Sequence, residues 1–296
     1  MSFAIVTAFL FAFSAICNTK VSRLMDQVSA NLIRLLIATS LLGIATLIIE
    51  PHSFHPEASM WLMFSGIVGF GIGDIALFMA LSKIGSRLTI LINFCTATLV
   101  GALSDSIWLG DSIKTENLIY ICFIFAGLSI ALYPKNLRLI TANSYKTGIL
   151  AAIIAGVGQG MGASISRHAN TIADYSNLSI GGTSQAFQRV FAGSALLLII
   201  FIYRRLKGRP ETRVRINKKP IHWLILASLF GPVIGVSCFQ ASLMTMTSGE
   251  SMAIVATSPI ILIPLAFVFE KDRPTILSVI GGAFAVAGVI GMALSS

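Results

Sequence analysis

Charge is scarce in this chain. Only 11% of its 296 residues are Asp, Glu, Lys or Arg, against roughly 25% in soluble domains. With 55% hydrophobic residues and a mean hydropathy of +0.86, the apolar surface exceeds what a water-soluble core of this size can hide. Lipid is therefore the expected solvent for most of it. Cysteine is scarce as well. Cys17, Cys95, Cys122 and Cys238 all lie inside apolar stretches, with no C-x-x-C spacing and no histidines at ligand spacing. This argues against a disulfide framework or a zinc site and leaves them as small packing residues. The four histidines, His52, His55, His168 and His222, are scattered over connectors and span ends. No cluster of acids and histidines marks a membrane enzyme, and the His52-x-x-His55 pair, between Pro51 and Pro56, reads as an exposed turn rather than a metal site. No G-x-x-x-x-G-K-[ST] run is present, so no nucleotide site is expected, and no cofactor or metal is implied. The net charge of +9 has no soluble basic domain to carry it, which argues against nucleic acid as a partner.

What fills the chain instead is a series of apolar stretches, each near the roughly 20 residues needed to cross a bilayer. Ten are expected, over 2–19, 29–49, 60–82, 87–109, 117–134, 146–166, 184–203, 221–242, 249–269 and 274–294. All read as helices, because period-2 alternation is absent and isolated strands leave backbone groups unsatisfied in lipid. The N-terminal stretch Met1 to Phe13 lacks a positive n-region and an A-x-A-like cleavage site, and reads as a first span rather than a removable signal.

The ten stretches read as one five-helix unit written twice, 1–138 and 139–296, with the boundary near Pro134 to Tyr145. Short matches recur in order: Ser22-Arg23 with Ser166-Arg167, Arg34 with Arg189, Gly69-x-x-x-Gly73 with Gly231-x-x-x-Gly235, and Ala126-Gly127 with Ala287-Gly288. Five is odd, so the second unit enters the bilayer from the opposite side. Inverted repeats of this kind typify secondary transporters, whose site lies where the copies meet. The fold class expected is thus an all-α integral membrane protein of ten transmembrane helices in two inverted repeats, resident in a plasma or inner membrane. Lys and Arg set the orientation. The odd-to-even connectors hold 17, eight of them between Arg204 and Lys219, and the other side holds only Lys114 and Arg167. The positive-inside rule then places the 204–219 connector in the cytoplasm and both termini outside.

Several pieces carry a family resemblance. Gly69-Phe-Gly-Ile-Gly73-Asp74, Ala80-Leu81-x-x-Ile84-Gly85 and the Leu109-Gly110-Asp111 turn in the first half are similar to the third and fourth helices of EamA-domain transporters. Pro259, Phe269-Glu270 and Ala287-Gly288 follow in the second. The chain resembles that family of the drug/metabolite transporter superfamily over nearly its whole length. It departs in having Asp111 where Glu is usual, in lacking a first-half counterpart of Pro259, and in a charge count that puts the termini outside. The resemblance implies transport of a small metabolite without ATP, rather than enzyme activity. A lipid-carrier flippase on the same fold, or a membrane enzyme, is the alternative.

Polar groups in lipid are costly and face a cavity or a partner. Asp74 sits mid-span behind three glycines, with no basic residue near it on its helix until Lys83. It reads either as a proton-coupling or cation-recognising acid or as a brace for a glycine-softened helix. Arg34 and Arg189 read as a pair that meets an anionic substrate, or as side chains reaching headgroups or helix ends. Asn31, Gln185 and Gln188 lie beside them. Asn93, Gln159 and Gln240 are deep amides in helices that the resemblance places around a central cavity, and Phe78, Phe94, Phe187 and Phe239 are candidate walls. The expected substrate-lining set is Arg34, Asn93, Gln159, Arg189 and Gln240, with Asp74 for coupling. The partners expected are a small-molecule metabolite and membrane lipid, with the chain a monomer or homodimer. Gly156, Gly158, Gly160 and Gly162 form a G-x-G-x-G-x-G run with no strand before it. It therefore reads as a close-packing stripe rather than a dinucleotide motif. Gly231-Pro232, Pro259 and Pro264 are expected to loosen their helices.

Overall fold

The computed structural model describes residues 1–22, 27–51, 53–112, 114–131, 142–176, 178–207, 221–270 and 275–295. Residues 134–141 of the expected boundary from Pro134 to Tyr145, and residues 208–220 of the basic connector, lie outside them.

The described chain is helical: α1 (Ser2–Ser22), α2 (Gln27–Ile49), α3 (Pro56–Gly66), α4 (Asp74–Ser104), α5 (Thr115–Ala131), α6 (Ala142–Tyr175), α7 (Gly182–Leu206), α8 (Ile221–Ser228), α9 (Ile234–Leu243), α10 (Ser248–Val255), α11 (Ser258–Glu270) and α12 (Ile276–Ser295). Seven segments are long and apolar enough to cross a membrane: 29–49, 56–84, 88–109, 145–175, 182–206, 221–243 and 248–265. Three shorter apolar helices cover 2–18, 115–131 and 279–291. Large apolar side chains such as Leu47, Ile48, Ile49, Met60, Ile107 and Ile199 point outward, a surface that suits lipid rather than water.

Several of these helices are not simple α-helices. Ile67–Gly73, Asp105–Leu109 and Leu229–Val233 are π-helical, with i→i+5 hydrogen bonding. The first joins α3 to α4 and the last joins α8 to α9, and their starts are 162 positions apart. Glycine and proline allow this: Gly69, Gly71 and Gly73 lie in one stretch, Gly231 and Pro232 in the other. Pro232 has no N–H to give to a regular α-helical ladder, so a wider turn loses less there. The span containing Pro259 breaks at Ala256–Thr257, and α11 starts with Ser258 and Pro259, the end of a helix where proline costs least.

α4 is one helical run in sequence, Asp74–Ser104, but its two arms, 74–84 and 88–104, belong to separate spans and double back on each other. Gly148 of α6 meets Ile84, Gly158 meets Gly73, and Gly160 meets Ala97. In a straight helix Gly73 and Ala97 would be roughly 36 Å apart, but they touch residues of α6 only two positions apart. The chain therefore reverses between Ile84 and Leu88, where a connector was expected, and lays one arm of α4 on each flank of α6.

The glycine run explains the closeness. Residues two apart on a helix face nearly opposite sides, while residues four apart share a side. Gly156 and Gly160 rest on the carbonyls of Asn93 and Ala97 on one flank. Gly158 and Gly162 rest on Val68 and Ser65 on the other. Ser65 Oγ donates to the Gly162 carbonyl at 2.5 Å and meets Ser166 Oγ at 2.9 Å, fastening α3 to α6. A second close crossing joins α5 and α12, where Cβ atoms on Gly127, Gly281 or Gly288 would strike the facing backbone.

The helix partners exchange between halves. α1 packs on α8, α9, α10 and α11 of the second half, while α6 packs on α3 and α4 of the first. α2 packs on α7, and α5 on α12. α6 is longer than the expected 146–166 and continues to Tyr175. Beyond Arg167 it has an apolar face, where Ala169 and Ala173 pack on Ala58, Leu62 and Ile180.

At one end of the bundle an ionic cluster ties three segments. Arg167 Nη1 bonds Asp105 at 2.7 Å and also bonds Asp111. Asp105 in turn accepts from the backbone N–H of Ser248 at 2.6 Å and from its Oγ at 3.1 Å, capping α10. Gly110 makes the turn between Asp105 and Asp111 with φ at 75°, the left-handed region that suits glycine. Thr247 and Glu250 form a capping box on α10, and Asn117 of α5 bonds the Glu250 carboxylate. His55 caps α3 through Nδ1, as befits a turn residue; His52 lies outside the described residues.

Candidate substrate-binding cavity

A cavity of about 270 Å³ lies between helices of both halves. Its wall takes Phe11, Ser14 and Asn18 from α1, Arg34 from α2, and Gly69 and Phe70 from the first wide-turn stretch. Asp74, Asn93 and Phe94 come from the two arms of α4, Gln159 from α6, and Arg189 from α7. Gly231, Pro232 and Phe239 come from the second wide-turn stretch and α9, and Met252 and Val255 from α10. The two π-helical stretches therefore face the same space.

The charged wall has two parts. Asn31 Nδ2 donates to Asp74 Oδ2 at 3.3 Å, and Asn31 Oδ1 accepts from Arg34 at 2.8 Å. One carboxamide thus links the acid of α4 to the base of α2. Arg189 is separate. It is 3% exposed, and its guanidinium lies 5.4 Å from the centre of the Phe70 ring, a favourable cation–π arrangement. Room for it comes from glycine: Cβ atoms added to Gly69 or Gly162 would each sit 3.2 Å from Nη2. Its backbone is held where α3 crosses α7, since a Cβ on Gly66 would overlap the Arg189 carbonyl. The third polar element is a pair of amides, with Asn93 Nδ2 donating to Gln159 Oε1 at 3.2 Å. Asn93 Oδ1 is buried without a hydrogen-bond partner among the described residues.

Of the residues singled out from sequence, Arg34, Asp74, Asn93, Gln159 and Arg189 all line this cavity. Gln240 does not. It is wholly buried in α9, and neither end of its carboxamide finds a hydrogen bond among the described residues. Phe94 and Phe239 line the wall, whereas Phe187 packs against Gly43 and Phe54, and Phe78 is not part of the lining. Gln185 and Gln188 turn to their own helix entry, bonding the Ile180 carbonyl at 2.7 Å and Ser184 Oγ at 3.1 Å. Sequence reading missed Ser14 and Asn18. They are four apart on α1, with Asn18 donating to Ser14 at 3.4 Å, and that spacing was the available signal. No group of three or more His, Cys, Asp or Glu placed to hold a metal occurs among the described residues.

A helical bundle with spanning-length apolar segments and a charged internal cavity defines an integral membrane protein. The sequence matches the model of the EamA-like transporter family over residues 1–133 and 146–294. The chain therefore belongs to that family, within the drug/metabolite transporter superfamily, whose members are generally transporters rather than enzymes. A crystal structure of a protein superposes with a TM-score of 0.80, covering 99% of this chain and 96% of that one at 17% identity, a likeness of fold. No curated protein matches the sequence.

Proposed function

We propose that the protein is a secondary transporter that carries a small organic metabolite by alternating access, with ten spans in two inverted five-helix units. The cavity carries this reading: helices of both units supply its wall, and the polar groups on that wall come from both. A space at the seam of two repeats is where such transporters bind. The two wide-turn stretches, one per unit, face it and give each unit a softened helix beside the substrate. Arg34, Asn93, Gln159 and Arg189 are assigned to the substrate wall, and Asp74 to proton coupling. Gln240 is a further assignment, from the span that contributes Phe239 to the wall.

The positive-inside rule orients the bundle with the 204–219 connector in the cytoplasm and the termini outside. In that frame Asn18 and Arg34, near the first connector, lie toward the cytoplasm, and the Arg167–Asp105–Asp111 cluster lies toward the exterior. The ionic cluster then fastens the outer end of the bundle, and Asn18 and Arg34 form the part of the cavity wall nearest the cytoplasm. The test is flux into proteoliposomes holding the purified chain, driven by a solute gradient and by an imposed pH gradient. Saturable, protein-dependent flux of a small metabolite supports the proposal. Its absence across amino acids, organic acids, nucleosides and organic cations counts against it.

A further inference from the structure

Three charged side chains line the cavity: Arg34, Asp74 and Arg189. Arg34 and Asp74 share Asn31 and offset each other. Arg189 has no such counterpart. Among the described residues it forms no ion pair, its Nε has no hydrogen-bond partner, and its guanidinium lies between the Phe70 ring and the glycines Gly69 and Gly162, none of which offers it a negative charge. The wall therefore carries one positive charge in excess. A buried charge is costly unless it is paired and hydrogen-bonded. A planar guanidinium with several donors suits the two oxygens of a carboxylate.

Apart from Ser14 and the amides Asn18, Asn93 and Gln159, the remainder of the wall is largely apolar: Phe11, Leu77, Ile90, Phe94, Val236 and Met252. At about 270 Å³ the space falls just below the roughly 300–1,000 Å³ of pockets for drug-sized ligands. We infer that the transported substrate is a small organic monoanion, with its carboxylate seated on Arg189 and a short apolar body against the aromatic and aliphatic wall. The inference rests on the proposed transport function and names what the cavity carries. A dianion would overbalance the single uncompensated charge, and a cation would face Arg189 directly.

A matched set of solutes tests this on the full chain. Thermal unfolding of the purified protein is followed with 4-methylpentanoate, its neutral isostere 4-methylpentanamide, and 4-methylpentylamine. Stabilisation by the carboxylate at concentrations on the order of tenfold lower than the amide is expected. Arg189→Gln removes that preference, and Arg189→Lys retains part of it. Equal stabilisation by the amide or the amine overturns the inference, as does none by any of the three. The wild-type comparison decides the matter even if a variant does not fold. Proteoliposome flux separates this inference from the transport reading. A carboxylate that binds through Arg189 but is not carried leaves the anion site standing and removes the transport function. Carriage of the amine or amide without the carboxylate does the reverse.

Discussion

Arg34 and Asp74 are joined through a single carboxamide, that of Asn31, which accepts from the one at 2.8 Å and donates to the other at 3.3 Å. The base is on α2 and the acid on α4, so any change in the charge of the acid is felt by a second helix. Replacing Asp74 by Asn keeps the shape and a polar partner for Asn31 but removes the charge. Asp74→Asn is expected to fold normally, to lose flux driven by a pH gradient, and to retain exchange of substrate for substrate. Parallel flux assays in proteoliposomes, with and without the gradient, check this. Undiminished gradient-driven flux in Asp74→Asn would release Asp74 from coupling.

Asp105 is 1% exposed and is shared between Arg167 and the start of α10. Removing one member of a buried pair leaves the other uncompensated, at about 3–5 kcal/mol. Asp105→Ala is expected to lower the unfolding temperature markedly, whereas Asp111→Ala, whose partner Arg167 keeps Asp105, costs less. In the proposed orientation the same change loosens the outer end. A cysteine at Met252 should then become more reactive to an impermeant maleimide added outside. Unchanged labelling would show that the cluster supports α10 without closing access.

Gly66 sets the crossing of α3 and α7 at Arg189 itself. An added methyl has backbone in front of it, not a flexible side-chain end, so the helices must part. Gly66→Ala should destabilise by about 1–3 kcal/mol, the range for overpacked cores, and should weaken carboxylate binding by moving Arg189. Gly110→Ala, with open space around it but a left-handed backbone, should cost about 1 kcal/mol and leave binding intact. Unfolding and ligand-shift measurements on both variants separate packing from backbone strain.

Lys207 follows α7 on the side given to the cytoplasm. Lys207→Cys should label with an impermeant maleimide in inside-out vesicles but not in right-side-out ones. Labelling in the opposite preparation would reverse the sidedness of the cavity.

The site was legible because charge and amide groups are conspicuous in an apolar chain. Asp74 stood out as a charge in mid-span, Arg34 and Arg189 as matched positions of the two halves, and Asn93 and Gln159 as amides in helices that the family resemblance places centrally; all five line one cavity. Polarity does not say which face of a helix a residue occupies. Gln240 gave the same signal as Gln159 yet is wholly buried in α9 outside the cavity lining; α9 also carries Ser237 and Ser242, so polarity by itself did not separate the two amides. Asn31 was noticed only as a neighbour of Arg34, since its link to Asp74 spans 43 positions and depends on tertiary structure. The extension of α6 past Arg167 was hidden by its polarity. A run from Arg167 to Tyr175 reads as a connector until Ala169 and Ala173 find an apolar partner in α3. The wide turns had only an indirect signal: glycines and a proline announce a softened helix without saying how it yields.

That yielding has a measurable scale. A π-helical stretch holds one residue more than an α-helix of the same hydrogen-bonded course, so drawing it in or letting it out shifts the register of everything beyond by one position. One position is about 100° of rotation. Directly after Ile67–Gly73 comes Asp74, so a one-position shift there would turn its carboxylate away from Asn31, its present partner on α2. The helix thus contains, in its wide turn, a place where the register can slip directly beside Asp74.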